Sequence, residues 1–227
     1  MALGAEVGPH GWVGAVDVVA ELAESAQRRL RAAGVQGVGA VADVATADLA
    51  AVAGAGQVFD AVHSRFGLMF FPDPTRAFAN IFRAVRPGGR LAASVWQHLE
   101  RNPWMMLTTA TAMQVLGMDR PPLPAPGGPG PFSLADPDTT TALLAGAGFA
   151  DIAMESIDAP FLFEGDGSAA AERVLSAGPL GAVFLAADEA RRREVIGSVV
   201  DALERHRGPH GIEVPAASWC ITACRPD

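Results

Sequence analysis

The chain has 227 residues, half of them apolar, and a formal net charge of −8 with no lysine among its basic residues. This size and apolar content suffice for a complete hydrophobic core. The acidic balance excludes a nucleic-acid-binding protein, because phosphate contacts need clustered cations.

No apolar stretch reaches the roughly 20 residues that cross a bilayer, and the N-terminus has no signal-peptide pattern. We therefore expect a cytoplasmic protein without membrane contact. The composition, rich in alanine, glycine and arginine, is typical of a GC-rich bacterial genome.

Strand and helix patterns alternate from the N-terminus onward. WVGAVDVV at 12–19 predicts a strand, and the amphipathic AELAESAQRRLRAAG predicts a helix that stops at Gly34. VGAVADV predicts a second strand ending near Asp43, followed by a weak helix in ADLAAVAGAG. VFDAVHSRFG predicts a third strand.

The next segment repeats this alternation. DPTRAFANIFRAV predicts a helix with Asp73 as N-cap and Pro74 at its first position. RPGGR predicts a turn in which Gly88 and Gly89 take positive φ, and LAASVW predicts a fourth strand. The pattern predicts an α/β, Rossmann-like, doubly wound and mostly parallel sheet, with strands buried on both faces.

The C-terminal half departs from this regularity. The Pro- and Gly-rich stretch 120–132 predicts a loop on the active-site side of the sheet, or a passive linker. ADPDTTTALLAGAGF repeats the Asp-Pro helix start, and 151–163 and 213–225 predict strands that pair antiparallel at the sheet edge around a helix near 184–206. We expect residues 1–227 to form one domain.

The two cysteines, Cys220 and Cys224, have the spacing of one strand face. That spacing is too wide for a relaxed disulfide, and two thiols alone make a poor zinc site. We expect free core thiols and no metal site.

Two acids close the first two strands. Ligands of open parallel sheets bind beyond the carboxyl ends of the strands, where Asp17 and Asp43 lie. A carboxylate at the first position can accept hydrogen bonds from both ribose hydroxyls, and one at the second from an adenine amino group. The alternative for Asp17 is that it only caps the helix that follows.

Four stretches carry a family resemblance: VGPHGWVGAVDV, VADV, FDAVHSRFGLMFFPDPTRAFANIFRAVRPGGRLAASVWQHLERNPW and PGPFSLADPDTTTALLAGAGF. They resemble class I S-adenosylmethionine-dependent methyltransferases of the ubiquinone-biosynthesis type. The resemblance implies S-adenosylmethionine as cofactor, with Asp17 at the ribose and Asp43 with Val44 at the adenine. The full set of expected cofactor residues is Asp17, Val18, Asp43, Val44, Ser64 and Arg65.

Other polar and aromatic residues near the strand ends suit a substrate. His98 is the candidate general base, since imidazole titrates near neutrality, or else a surface histidine. Arg65 pairs with a substrate carboxylate or with an acid of the protein. Phe66, Trp96 and Trp104 form an apolar substrate wall, or the two tryptophans pack in the core.

One family feature is missing. The strand and glycine-rich turn of the D-x-G-x-G-x-G type are not found before Trp12. Without this strand the sheet would have a gap, for which we consider three alternatives. Either strand 12–19 pairs directly with 58–64, or a second chain donates a strand in a homodimer, or an upstream segment is absent from this chain.

These observations predict methyl transfer to oxygen or carbon of a small, largely apolar acceptor in natural-product biosynthesis. Two alternatives follow from the missing turn. The scaffold has been repurposed as a cyclase, isomerase or ligand-binding protein, or the chain is a truncated, inactive copy.

Overall fold

The computed structural model describes residues 6–8, 10–52, 58–119 and 128–227. The chain forms two compact units that alternate along the sequence. Unit 1 comprises Met1–Ser94, Pro137–Met154 and Cys220–Asp227, and unit 2 comprises Val95–Asp136 and Glu155–Trp219. The single domain expected over 1–227 stays a prediction.

The strands are β1 (Val13–Asp17), β2 (Gly37–Val41), β3 (Phe59–Arg65), β4 (Val85–Trp96), β5 (Ala150–Asp158), β6 (Phe161–Glu164), β7 (Arg207–Gly208), β8 (Gly211–Val214) and β9 (Ala217–Cys224). The α-helices are α1 (Ala20–Ala32), α2 (Leu49–Val52), α3 (Pro74–Ala84), α4 (Pro103–Leu116), α5 (Pro137–Ala147), α6 (Ser168–Ala177), α7 (Gly181–Ala186) and α8 (Glu189–Leu203). Short 3-10 helices span Leu68–Phe70, Leu99–Arg101 and Glu204–His206.

Three sheets organise these strands. β1 and β2 form a parallel pair, and a four-stranded sheet has the order β3-β4-β9-β5 with β3 parallel to β4. β6, β8 and β7 form an antiparallel sheet. The predicted Rossmann-like α/β fold class is confirmed. The C-terminal strand β9 lies between β4 and β5, so the edge strands of the four-stranded sheet are β3 and β5, and most β5 residues are exposed.

Among the described strands, β1 pairs with β2 alone and β3 with β4 alone. Each therefore has one edge without a described partner, which we call its open edge. Of the three ways in which the gap in the sheet could be closed, direct pairing of 12–19 with 58–64 is therefore not found among the described strands. The expectation of strands buried on both faces is also wrong for β1, β2 and β3, none of which has a fully buried residue. The homodimer stays a prediction.

The predicted helix boundaries of unit 1 are confirmed by local contacts. The Arg76 N–H donates to Asp73 Oδ1 (3.0 Å) at the start of α3, where Pro74 takes the first position. Gly34 follows α1 with φ of +65°, a conformation in which a side chain would be strained.

The RPGGR segment is part of strand β4, although we predicted a turn. Gly88 has φ of +69° as expected, and its N–H donates to the Arg225 carbonyl (2.9 Å). Gly89 does not have positive φ; a Cβ there would lie 2.5 Å from Val85 Cγ1 and 2.8 Å from the Asp60 carbonyl. Close backbone approach, and not φ, requires this second glycine.

The core of unit 1 packs α3 and α5 with the strands. The rings of Phe82 and Phe149 meet edge to face at 5.1 Å, and the Arg225 guanidinium lies 4.6 Å from the Phe82 ring centroid. Arg225 also donates to the Phe82 and Val85 carbonyls at 2.9 and 2.7 Å. A cation that satisfies carbonyls at the end of α3 stabilises its C-terminus.

The core of unit 2 is a cluster of buried side chains that come mainly from α4, α6, α7, α8, β6 and β8. It includes Phe163, Phe184, Val195, Leu203 and Ile212, each 0% exposed. The segment 151–163, expected as one strand, is divided between β5 and β6, and Pro160, which has no N–H to donate, lies in the break.

Cys220 and Cys224 are free, half-buried thiols on β9, as predicted.

Candidate functional site

The tips of β1 and β2 adjoin. Asp17 is in register with Val41, and the Ala42 N–H donates to the Asp17 carbonyl (3.0 Å). Asp43 follows two residues after the end of β2. The two aspartates predicted to bind the cofactor therefore lie at neighbouring carboxyl ends of a parallel pair in unit 1.

The Asp17 carboxylate is half-buried and orders the chain leading into α1. Its Oδ1 accepts the N–H of Val19 (2.9 Å), the residue before the first helical turn. Val18 between them is 65% exposed. The carboxylate thus binds the N-cap residue itself. This bond is local, and Oδ2 keeps acceptor capacity for a ligand.

The Asp43 carboxylate is exposed and holds together the loop 43–47. Oδ1 accepts the Ala45 N–H (2.8 Å), and Oδ2 accepts the Thr46 hydroxyl (3.3 Å). The Asp43 carbonyl accepts the N–H groups of Thr46 and Ala47 at 3.1 and 2.9 Å. This tight turn presents Val44, the second residue expected at an adenine, beside Asp43.

Sequence reasoning missed Asn80. It lies on the buried face of α3, and its Nδ2 donates to the carbonyls of Val44 and Ala47, both at 2.7 Å. The available signal was an amide among the apolar residues of an amphipathic helix. A buried amide needs partners, so it had to meet a loop or another polar group.

The tip of β3 carries Ser64, Arg65 and Phe66. Ser64 and Arg65 are in register with Ala93 and Ser94 of β4, and the Phe66 N–H donates to the Ser94 carbonyl (2.9 Å). Phe66 has φ of +57°, an uncommon conformation for a bulky residue that often marks functional turns. The Arg65 guanidinium lies 5.9 Å from the Phe66 ring centroid.

Arg65 forms no ion pair within the part of the chain that the structure describes. The alternative that it pairs with an acid of the protein is therefore not supported by those residues. His63, on the same strand, is exposed.

In unit 2, His98 is exposed and precedes the 3-10 helix Leu99–Arg101. Its backbone is held by Asn102, whose Nδ2 donates to the carbonyls of Gln97 (3.0 Å), His98 (3.2 Å) and Ala217 (3.0 Å). Asn102 Oδ1 accepts the Ala217 N–H (3.1 Å) and Trp104 Nε1–H (3.2 Å). Asn102 is 0% exposed and was also missed.

The two tryptophans belong to an aromatic group of unit 2. The Trp104 ring stacks on Phe161 at 4.2 Å between centroids, and Trp96 lies 5.2 Å from Trp104. Trp104 is 4% exposed, as the core-packing alternative expects, whereas Trp96 is half-buried and offers more surface. Their contact with a substrate stays a prediction.

Part of the expected loop 120–132 lies outside the described residues, since the description stops at 119 and resumes at 128. Residues 128–132 form bends and turns.

Within the described ranges, no three or more His, Cys, Asp or Glu side chains are grouped so that they could hold a metal ion. None of the helices in these same ranges is long and apolar enough to span a membrane.

Comparison with known proteins agrees with this architecture. Residues 5–93, which include β1, β2, β3 and most of β4, match the family model described as a methyltransferase domain. The chain is 32% identical over 74 residues to the demethylmenaquinone methyltransferase of Renibacterium salmoninarum. That match spans 33% of this chain and 31% of the curated relative, less than a third of its length.

Solved structures share the fold. A candidate methyltransferase from Bacillus halodurans C-125 has a TM-score of 0.53 at 13% identity, covering 95% of this chain and 84% of its own. A second structure belongs to a study of the conversion of a disulfide bond into a thioacetal group during echinomycin biosynthesis. It has a TM-score of 0.50 at 17% identity, and the match covers 99% of this chain and 70% of that one.

The fold and the paired strand tips define a Rossmann-like α/β protein, of which residues 5–93 match a methyltransferase domain. With the domain match over residues 5–93, the resemblance to class I S-adenosylmethionine-dependent methyltransferases is confirmed.

Proposed function

We propose that this chain binds S-adenosylmethionine and transfers its methyl group to a small, largely apolar acceptor. One observation carries the proposal: Asp17 and Asp43 lie at adjoining tips of the parallel pair β1/β2, inside the segment that matches a methyltransferase domain. Ligands of open α/β sheets bind beyond this edge of the strands.

The residues present fit the adenosine half of the cofactor. Asp17 would accept from the ribose hydroxyls and Asp43 from the adenine amino group, because each carboxylate has acceptor capacity beyond its bonds within the chain. Val18 and Val44 would flank these contacts. When bound, the cofactor supplies a methyl group already activated on a sulfonium.

The methionine half fits less well. Among the described residues, no glycine-rich turn follows any strand at this edge. These residues therefore offer no glycine backbone that could lie close against the methionine end of the cofactor. Ser64 and Arg65 at the β3 tip are the side chains we assign to it. A cofactor held mainly through its adenosine half is the expected consequence.

For the acceptor, the protein's contribution is alignment, which accounts for much of the acceleration in a transfer of this kind. His98 would take the proton of an acceptor hydroxyl or enol. Trp96 and Trp104 of unit 2 would provide the apolar surface that such an acceptor requires, and a contact of Phe66 of unit 1 with the acceptor stays a prediction. We place the acceptor among natural-product intermediates, because one of the solved structures with this fold is linked by its name to echinomycin biosynthesis.

Calorimetry with S-adenosylhomocysteine tests the cofactor assignment. We expect binding by the unchanged chain and an affinity about 10–100-fold lower for Asp17→Asn, since a hydrogen bond to a charged group contributes about 1.5–3 kcal/mol. Asp60→Asn is the matched control, because Asp60 lies on β3 and pairs with Arg86 at 2.6 Å. No heat at millimolar ligand would overturn the proposal.

A methyltransferase-like scaffold without methyl transfer is the second candidate, favoured by the lack of a glycine-rich turn among the described residues. Incubation with methyl-labelled S-adenosylmethionine and a panel of phenolic and enolic acceptors separates the two. Label in a product that depends on the protein would exclude the scaffold candidate. Cofactor binding without any labelled product would favour it.

A further inference from the structure

The loop that carries Asp43 is held from outside by a helix. Asn80 of α3 is 8% exposed, and its Nδ2 donates to the Val44 and Ala47 carbonyls, both at 2.7 Å. One side chain therefore closes two points of the same turn, while Asp43 ties that turn together from within through Ala45 and Thr46.

A third contact fixes the orientation of the Asn80 amide. The Arg83 guanidinium, one helical turn later, donates through Nη2 to Asn80 Oδ1 (2.8 Å). The reversed amide would place its oxygen against two carbonyl oxygens and its NH₂ against a cation. The contacts therefore admit one orientation, in which both donors face the loop.

We propose that Asn80 is the positioning residue of the adenine-binding loop 43–47, with Arg83 setting the direction of its amide. This inference rests on the proposed function, which assigns Asp43 and Val44 to the adenine. Asn80 acts through the loop: it holds the backbone on either side of these contacts, so that less ordering remains to be done when the ligand binds.

The need for such a clamp follows from the surroundings of the loop. Asp43 is exposed and Val44 half-buried, and α2, which begins after the loop at Leu49, is only four residues long. Ala45 is the one residue of the loop 43–47 that is buried, so apolar packing fixes only part of this backbone. The two carbonyl contacts from Asn80 are therefore a large part of what orders it.

Calorimetry with S-adenosylhomocysteine on three proteins tests this role. We expect Asn80→Ala to weaken binding about tenfold or more, since two part-buried carbonyls of the loop lose their donor. Asp73→Ala is the matched control: it removes the N-cap of the same helix without touching the loop, so it should lower the unfolding temperature while the affinity stays within about twofold.

Base selectivity separates positioning from general destabilisation. S-inosylhomocysteine carries an oxygen in place of the adenine amino group, so the unchanged chain should prefer S-adenosylhomocysteine. We expect this preference to fall about fivefold or more in Asn80→Ala and to be kept in Asp73→Ala. If Asn80→Ala does not fold, Arg83→Ala, which leaves the amide without its orienting partner, should show a smaller loss in the same direction.

The outcomes are distinct. No binding of S-adenosylhomocysteine by the unchanged chain would overturn the proposed function and the role of Asn80 with it. Binding by the unchanged chain, with affinity and base preference retained in Asn80→Ala or in Arg83→Ala, would overturn the role of Asn80 alone.

Discussion

The core of unit 2 and the strand tips of unit 1 differ in how completely they are packed. In unit 2, Phe163, Leu203 and Ile212 are 0% exposed. In unit 1, no residue of β1 or β3 is buried, and each strand is paired on one edge among the described residues. The candidate cofactor site is thus built on the less stabilised part of the molecule, as binding loops commonly are.

The largest expected effect is on the unit 2 core. Phe163→Ala should lower the free energy of unfolding by about 3–5 kcal/mol, because it leaves a cavity in a fully buried cluster. Val16→Ala on half-buried β1 should cost under about 1.5 kcal/mol. Urea unfolding followed by tryptophan fluorescence and circular dichroism measures both. Equal losses would show that β1 is as well packed as the core.

Asn102→Ala should have the next largest effect, about 2–4 kcal/mol of unfolding free energy. Buried groups of Trp104 and Ala217 lose their partner, and each unpaired group costs about 1–3 kcal/mol. Gln97→Ala, which removes bonds to Ser156 (2.7 Å) and Ser218 (3.1 Å), is the graded comparison and should cost less. The same unfolding assay applies, and a neutral Asn102→Ala would contradict the expected role of this network.

Amide hydrogen exchange tests the open edge of β1. The Val13 N–H donates to the Gln36 carbonyl, so Ala15 also faces β2, whereas Gly14 and Val16 point away. We expect the amides of Gly14 and Val16 to exchange about tenfold or more faster than that of Ala15. Equal protection would show that another strand covers the edge. Protection that increases with protein concentration would support the predicted homodimer.

The smallest effect is expected at Glu204 and Arg207 in unit 2. A hydrogen bond from Arg207 (2.5 Å) lowers the pKa of Glu204 below its ordinary value of 4.5. A carboxyl with a lowered folded-state pKa contributes stability above its ordinary pKa, and the contribution is lost as the pH falls through the folded value.

Because both side chains are exposed to solvent, the difference in unfolding temperature between the unchanged chain and Glu204→Gln should be slight. It should be largest at neutral pH and vanish in acid. A difference that grows toward acid would contradict the sign of the shift.

Regular, local patterns made much of the fold predictable. Asp73 with Pro74 marked the start of α3, and Gly34 marked the end of α1, because caps and breakers act within a few residues. The split between β5 and β6 was missed, since the β-branched and aromatic run continued through Pro160 and only the proline signalled the break.

The site was predictable where it depends on strand ends and not where it depends on long-range contacts. Asp17 and Asp43 could be found from their position after apolar strands. The hydrogen-bond partners of Asn80 and Asn102 could not be predicted, because they are far away in the sequence. The partners of Asn80 lie 33 or more residues away, and one partner of Asn102, Ala217, lies 115 residues away. The exposure of β3 could not be predicted either, because it depends on which distant parts of the chain pack beside this strand.

The open edge of β3, which has no partner among the described strands, has a consequence for handling the protein. A strand edge with free N–H and C=O groups can recruit strands from other molecules and grow into aggregates, and charged side chains along it oppose this. Asp60, His63 and Arg65 are exposed on β3 and occupy that protective role. Colloidal stability should therefore be poorest near the isoelectric point of about 5.1, where the repulsion that the net charge provides disappears.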